Sequence, residues 1–163
     1  MICQFSVYTN GQAAKLETVL TYDGTEHPES AGFEEVDHTA DVALRIWGPD
    51  FEALLRQAAL GAARLMCGSM PRGPTVRKRF ALEAFDRESL LVEWLGELVF
   101  SAEVDRDLFY EFDFESVTDR RLIAVAYGKR VDSLQTVIKA VTYHNLKITK
   151  TDGRLEVTVV FDV

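Results

Sequence analysis

The sequence predicts an α+β fold, a mainly antiparallel sheet with two amphipathic helices packed on one face. Three observations predict it. Alternating apolar and polar residues at 42–47, 110–115 and 155–162 have the period of two of half-buried strands. Two longer runs, 51–66 and 90–102, repeat their apolar residues at helical spacing. Near the C-terminus Asp152-Gly153 separates two strand-like runs, a dipeptide that favours the tight turn of a hairpin.

Taken in order, residues 1–32 read as an N-terminal extension or linker, because the stretch 21–30 is polar, carries turn formers and shows neither period. The domain is expected over 33–163. In its first strand Val42, Leu44 and Ile46 share one face and Ala43, Arg45 and Trp47 the other. Gly48-Pro49 breaks that pattern, and Asp50 is placed to cap the helix carrying Phe51, Leu54, Leu55, Ala58, Ala62, Leu65 and Met66. A second strand spans 76–85, its trio Arg77-Lys78-Arg79 reading as a solvated strand end in an acidic chain. Asp86 is placed to cap the second helix, whose stripe includes Leu90, Leu91, Trp94, Leu95 and Leu98, so Trp94 is a core residue.

Tyr110, Phe112 and Phe114 then alternate with Glu111, Asp113 and Glu115. Successive same-face residues of a strand lie nearly 7 Å apart, roughly twice the rise per residue, so these acids form a wet outer face rather than a shared ion site. A turn at Thr118-Asp119-Arg120 leads to a strand over 121–127, ended by Gly128. Branched and aromatic residues predict a further strand over 140–148, and the last strand sets Leu155, Val157, Val159 and Phe161 on one side and Glu156, Thr158, Val160 and Asp162 on the other.

Composition bounds the function. The chain has 163 residues, 47% apolar and 27% charged, which suits one soluble globular domain. Its formal charge of −8 argues against broad binding to bare nucleic acid, which needs clustered Lys and Arg. No apolar run has a membrane span's length, no export signal opens the chain, and Cys3 and Cys67 form no metal-ligand spacing. These features lead to the expectation of a cytoplasmic protein without membrane attachment.

No phosphate loop, nucleophile elbow or helical His-Glu zinc motif is present. His38 and His144 suit hydrogen-bonded structural positions better than general bases. The stretch Asp37-His38-Thr39-Ala40-Asp41 concentrates two carboxylates, an imidazole and a hydroxyl at the mouth of a strand. Turn bonds to the backbone account for such residues. A cation site is the other reading: if the strand opened by Asp41 runs beside the strand ending at Asp162, then Asp41, Asp162 and the carboxylate of Val163 converge. Hard oxygen donors of that kind select calcium, magnesium or manganese.

Three separated segments carry a resemblance. Asp37-His38-Thr39-Ala40-Asp41, the stretch Lys139-Ala140-Val141-Thr142-Tyr143-His144-Asn145-Leu146-Lys147-Ile148, and the closing Phe161-Asp162-Val163 together resemble the archease family in order and separation. The likeness covers about 33–163, with a link over 128–137 shorter than the family's usual loop. It implies a protein that is not an enzyme but a cofactor of the GTP-dependent RNA ligase of tRNA splicing, promoting the guanylylation and multiple turnover of that ligase. It further implies a divalent metal held by Asp41, Asp162 and Val163, with Lys139, Asp37 and His38 as candidate contacts to the ligase. No sequence-specific nucleic-acid binding is expected. The competing readings are an autonomous metal-dependent phosphoesterase, which needs His38 or His144 as base, and a chaperone-like modulator of nucleic-acid-modifying enzymes.

Overall fold

Val42, Leu44 and Ile46 take one face of a strand because its period of two carries all three to the same side. In the computed structural model, which describes residues 30–36 and 41–163, Leu44 and Ile46 are fully buried. They lie on β2 (Val42–Gly48), which pairs with β1 (Gly32–Val36) on one side and β8 (Arg154–Asp162) on the other. Beyond β8 come two short strands, β6 (Ala140–Thr142) and β7 (Thr149–Thr151), both paired to it. A second sheet holds β3 (Val76–Glu83), β5 (Arg121–Arg130) and β4 (Asp107–Val117), in that order. Every pairing is antiparallel.

The α+β class with two helices is therefore what the chain forms, but the strands divide into two sheets. Helix α1 (Phe51–Cys67) packs against β2 of one sheet and β4 of the other, and buries 11 of its 17 residues, more than a helix lying on a single sheet would hide. Its run of Ala58, Ala59, Gly61, Ala62 and Ala63 keeps it thin enough for this, with Gly61 pressed against Leu44 and Phe33. Helix α2 (Arg87–Phe100) lies beside α1 and touches β3 and β6. Trp94 on α2 is the hub of the shared core: it meets Phe80, Phe112 and Phe114 edge-on, and its indole N–H donates to the Leu55 carbonyl at 3.2 Å.

Both expected caps are in place, Asp50 Oδ1 accepting the Ala53 N–H and Asp86 Oδ1 the Ser89 N–H, each at 2.8 Å. Two features of α2 depart from a regular helix. Gly96 sits in the helix interior, where glycine costs about 1 kcal/mol relative to alanine, yet a methyl group there would meet nothing within 4 Å. The helix then widens into a π-turn over Ser101–Asp105, stopped by Arg106 in the left-handed region at φ 61°. Lys78 clamps that turn, donating to Ser101 Oγ at 2.9 Å and lying 4.0 Å from Asp105.

Two local expectations are corrected and a third holds. Gly128 does not end β5, which continues to Arg130; glycine is needed because a methyl there would fall on the Leu108 carbonyl oxygen, where β4 bulges toward its neighbour. The basic trio is solvated as expected, Arg77 and Arg79 exposed and Lys78 half-buried, with Arg79 paired to Glu115 at 2.8 Å, Lys78 bonded to Ser101 and Arg77 over the Tyr127 ring. The strand expected over 140–148 breaks after Thr142: six residues, 143–148, stand against three of β8, 157–159. Asn145 there adopts φ 51°, and the Ile148 N–H bonds Glu88 of α2 instead of a strand. Asp152 and Gly153, both at positive φ, make the expected two-residue hairpin turn. Among the described residues no helix is long and apolar enough to cross a membrane.

Candidate functional site

The β2–β8 register decides where the candidate residues go. Val42 against Phe161 is the last pair of that ladder, which brings Asp41, the residue before β2, to the strand end that carries Asp162. Since Phe161 is fully buried, its neighbour Asp162 points outward, and it is exposed; Asp41 is half-buried. On the other flank of β8, Asp162 faces Ala140 of β6.

Lys139, just before β6, locks this corner. Its backbone N–H donates to the Asp162 carbonyl at 2.8 Å, and its ammonium donates to the main-chain oxygen of Val163, also at 2.8 Å. The cation anticipated as a contact to a partner is thus engaged inside the chain, on the last of the three residues anticipated as ligands. Asp37 and His38 lie outside the described residues. Among the described residues no three His, Cys, Asp or Glu side chains gather about one point, so Asp41 and Asp162 contribute a pair and any third donor from the described residues is a main-chain oxygen.

The same outer face carries a feature that sequence reasoning missed. Arg45 reaches across three strands, its guanidinium bonding Glu34 of β1 at 3.1 Å and both carboxylate oxygens of Glu156 on β8 at 2.9 Å. This pairing pushes the Glu156 carboxyl below its usual range, the Arg45 hydrogen bonds being the main cause. Arg154 adds a 3.5 Å bond to Glu156, and both arginines lie over the Trp47 ring. The only sequence signal was an arginine in the middle of an otherwise apolar run, which does not reveal its partners. The ladder leaves the sheet end with Asp41 and Asp162 as a separate, net acidic corner.

Two other groups considered in the sequence are elsewhere. His144 rides in the exposed turn after β6, its Nε2 3.0 Å from the Asn145 amide, and the chain leads it away from Asp162. Cys67 is half-buried at the end of α1, its thiol donating to the Ser69 carbonyl at 3.0 Å and its pKa pushed up by burial, which disfavours the nucleophilic thiolate.

Residues 33–163 match the model of the Archease protein family (MTH1598/TM1083). The chain belongs to the archease family. Among curated proteins, the archease of Methanosarcina barkeri is 36% identical over 140 residues, covering 80% of this chain and 95% of the relative. The archease of Methanopyrus kandleri is 34% identical over 138 residues, covering 80% and 99%. The solution structure of Methanobacterium thermoautotrophicum protein 1598 matches at 30% identity with a TM-score of 0.60, covering 81% of this chain and 99% of that one. The crystal structure of an archease described as a possible chaperone, from Thermotoga maritima, has a TM-score of 0.59 at 21% identity, over 87% of this chain and 100% of that one, and shares the fold. The acidic corner is therefore the corner of an archease fold, built from both ends of the matched region.

Proposed function

We propose that this archease is a non-catalytic accessory protein of the cytoplasm that holds a divalent cation and activates a GTP-dependent tRNA-splicing RNA ligase, promoting its guanylylation and repeated turnover. One observation carries the reading: the β2–β8 ladder, which sets Val42 against Phe161, brings Asp41, the residue before β2, to the strand end that carries the exposed Asp162. Two carboxylates brought close together repel, and a cation between them would relieve that repulsion.

The donor set fits a hard cation. Asp41, Asp162 and the Val163 carboxylate would be the protein's ligands, all oxygen, which favours calcium, magnesium or manganese over zinc or copper. Lys139 restrains Val163 and leaves the two aspartates to set the charge of the corner. A cation bound there would supply Lewis acidity toward phosphate oxygens. The chain's own contribution is placement: β2 and β8 hold the aspartates rigidly, and the acidic corner matches the cationic cleft of an enzyme that binds nucleotide and RNA. No general base accompanies the corner among the described residues, His144 being directed away, which favours an accessory role over an autonomous phosphoesterase.

The test is a guanylylation assay of the cognate ligase with and without this protein, in the presence and absence of chelator. Stimulation that disappears on chelation and returns with added divalent cation is expected. Equal ligase turnover with and without the protein sinks the reading, and phosphate-ester hydrolysis by the isolated protein replaces it with the phosphoesterase.

A further inference from the structure

The outer face of α2 and its π-turn exposes two apolar side chains beside a bare glycine. Phe100 and Val104, four residues apart and hence on one side of the helix and its π-turn, are 55% and 61% exposed. Glu93 and Glu97 are exposed on the same helix, while Asp105 lies 4.0 Å from Lys78. One turn before Phe100, Gly96 leaves bare backbone where the fold itself has room for a side chain. A helix-destabilising glycine that packs against nothing, beside an exposed aromatic ring, has its explanation outside the molecule: a second surface approaches the backbone there closely. The π-turn, fixed from beneath by Lys78, sets the direction in which Val104 projects.

We propose that this face, centred on Phe100 with Gly96 and Val104 beside it, is a docking surface for the body of the ligase. The proposal rests on the ligase reading above and adds to it a contact separate from the cation corner. The occupant follows from charge. A second copy of this chain seated here would bring Glu93 and Glu97 against their own counterparts, whereas an enzyme that grips RNA ends exposes Lys and Arg, which pair with these carboxylates around an apolar pocket for Phe100.

Two variants of the full chain, Phe100→Glu and Gly96→Gln, test this by ligase affinity, divalent-cation affinity, thermal midpoint and sedimentation. Phe100→Glu is expected to weaken ligase binding about thirty-fold or more, the loss of an aromatic anchor. Gly96→Gln is expected to raise the thermal midpoint by about 2 °C through better helix propensity, yet weaken ligase binding about ten-fold by filling the bare site. Cation affinity stays unchanged in both. Wild-type ligase affinity in both variants overturns the proposal while leaving the functional reading intact, and a wild-type dimer that Phe100→Glu dissociates overturns it in favour of self-association. A wild-type protein that neither binds nor stimulates the ligase removes the functional reading and this docking surface together.

Discussion

The ammonium of Lys139 lies 2.8 Å from the main-chain oxygen of Val163, and the same residue's N–H holds the Asp162 carbonyl. The contacts fall on the last residue of β8 and on the residue after it. Lys139→Met removes the charged contact and keeps the backbone one. It is expected to lower divalent-cation affinity about ten-fold by loosening Val163, with little change in thermal midpoint. Residues appended after Val163 are expected to reduce affinity as well, because the carboxylate becomes an amide carbonyl. Isothermal titration with calcium and manganese measures both, and a tolerant C-terminal extension removes Val163 from the ligand set.

Asp41 and Asp162 come to the same end of the sheet only because β2 and β8 pair in the register that sets Val42 against Phe161. Asp162 is exposed and Asp41 half-buried, so Asp162→Asn and Asp41→Asn are expected to preserve the far-ultraviolet circular dichroism and shift stability by less than about 1 kcal/mol. Each is expected to abolish cation-dependent stimulation of the ligase. Full stimulation by both variants would falsify the cation site.

Glu156 gives the fold a pH dependence with a defined sign. Its carboxyl is held below the usual range, first by hydrogen bonds from Arg45. A depressed carboxyl contributes stability that is present above its unfolded pKa and lost as pH falls through the folded one. Glu156→Gln is therefore expected to lower the thermal midpoint at neutral pH and to flatten its fall below about pH 4.3, the ordinary glutamate value. Because the Arg45 side chain is 40% exposed, solvent screens the pair, and a double-mutant cycle of Arg45→Ala with Glu156→Gln is expected to give a coupling of about 1 kcal/mol. Parallel pH profiles for wild type and Glu156→Gln would contradict this.

Gly128 marks the tightest approach between β4 and β5. Gly128→Ala drives a methyl group onto the Leu108 carbonyl, which is backbone and cannot swing aside. A loss of about 2–3 kcal/mol is expected in urea unfolding, the range of an overpacked site. A change below the error of that measurement would mean that the bulge relaxes freely.

Much of this was legible in the residues. Periods of two and 3.6 located β2, β4, β8, α1 and α2, since an element must hide one face and its sequence records which one. Asp50, Asp86 and Asp152-Gly153 were readable for a similar reason, each satisfying a need of the backbone within three residues of itself. The break at Tyr143 was not readable. Val141, Thr142 and Ile148 favour a strand locally, but Glu88, sixty residues away, accepts the Ile148 N–H in place of a ladder partner. The Arg45 ladder escaped notice likewise, because its two acids come from different strands.

The sequence by itself determined the class of the fold, the faces of its helices and the family to which the three separated segments point, all of which depend on neighbours along the chain. Tertiary structure alone decided that the strands form two sheets with α1 against both, that the start of β2 lies beside the end of β8, and that Lys139 bonds Val163. The β2–β8 pairing joins residues as far apart as Val42 and Phe161 and is fixed by register: a slip of one residue would turn every side chain of β8 to the opposite face, and the buried row Val157, Val159 and Phe161 forbids it.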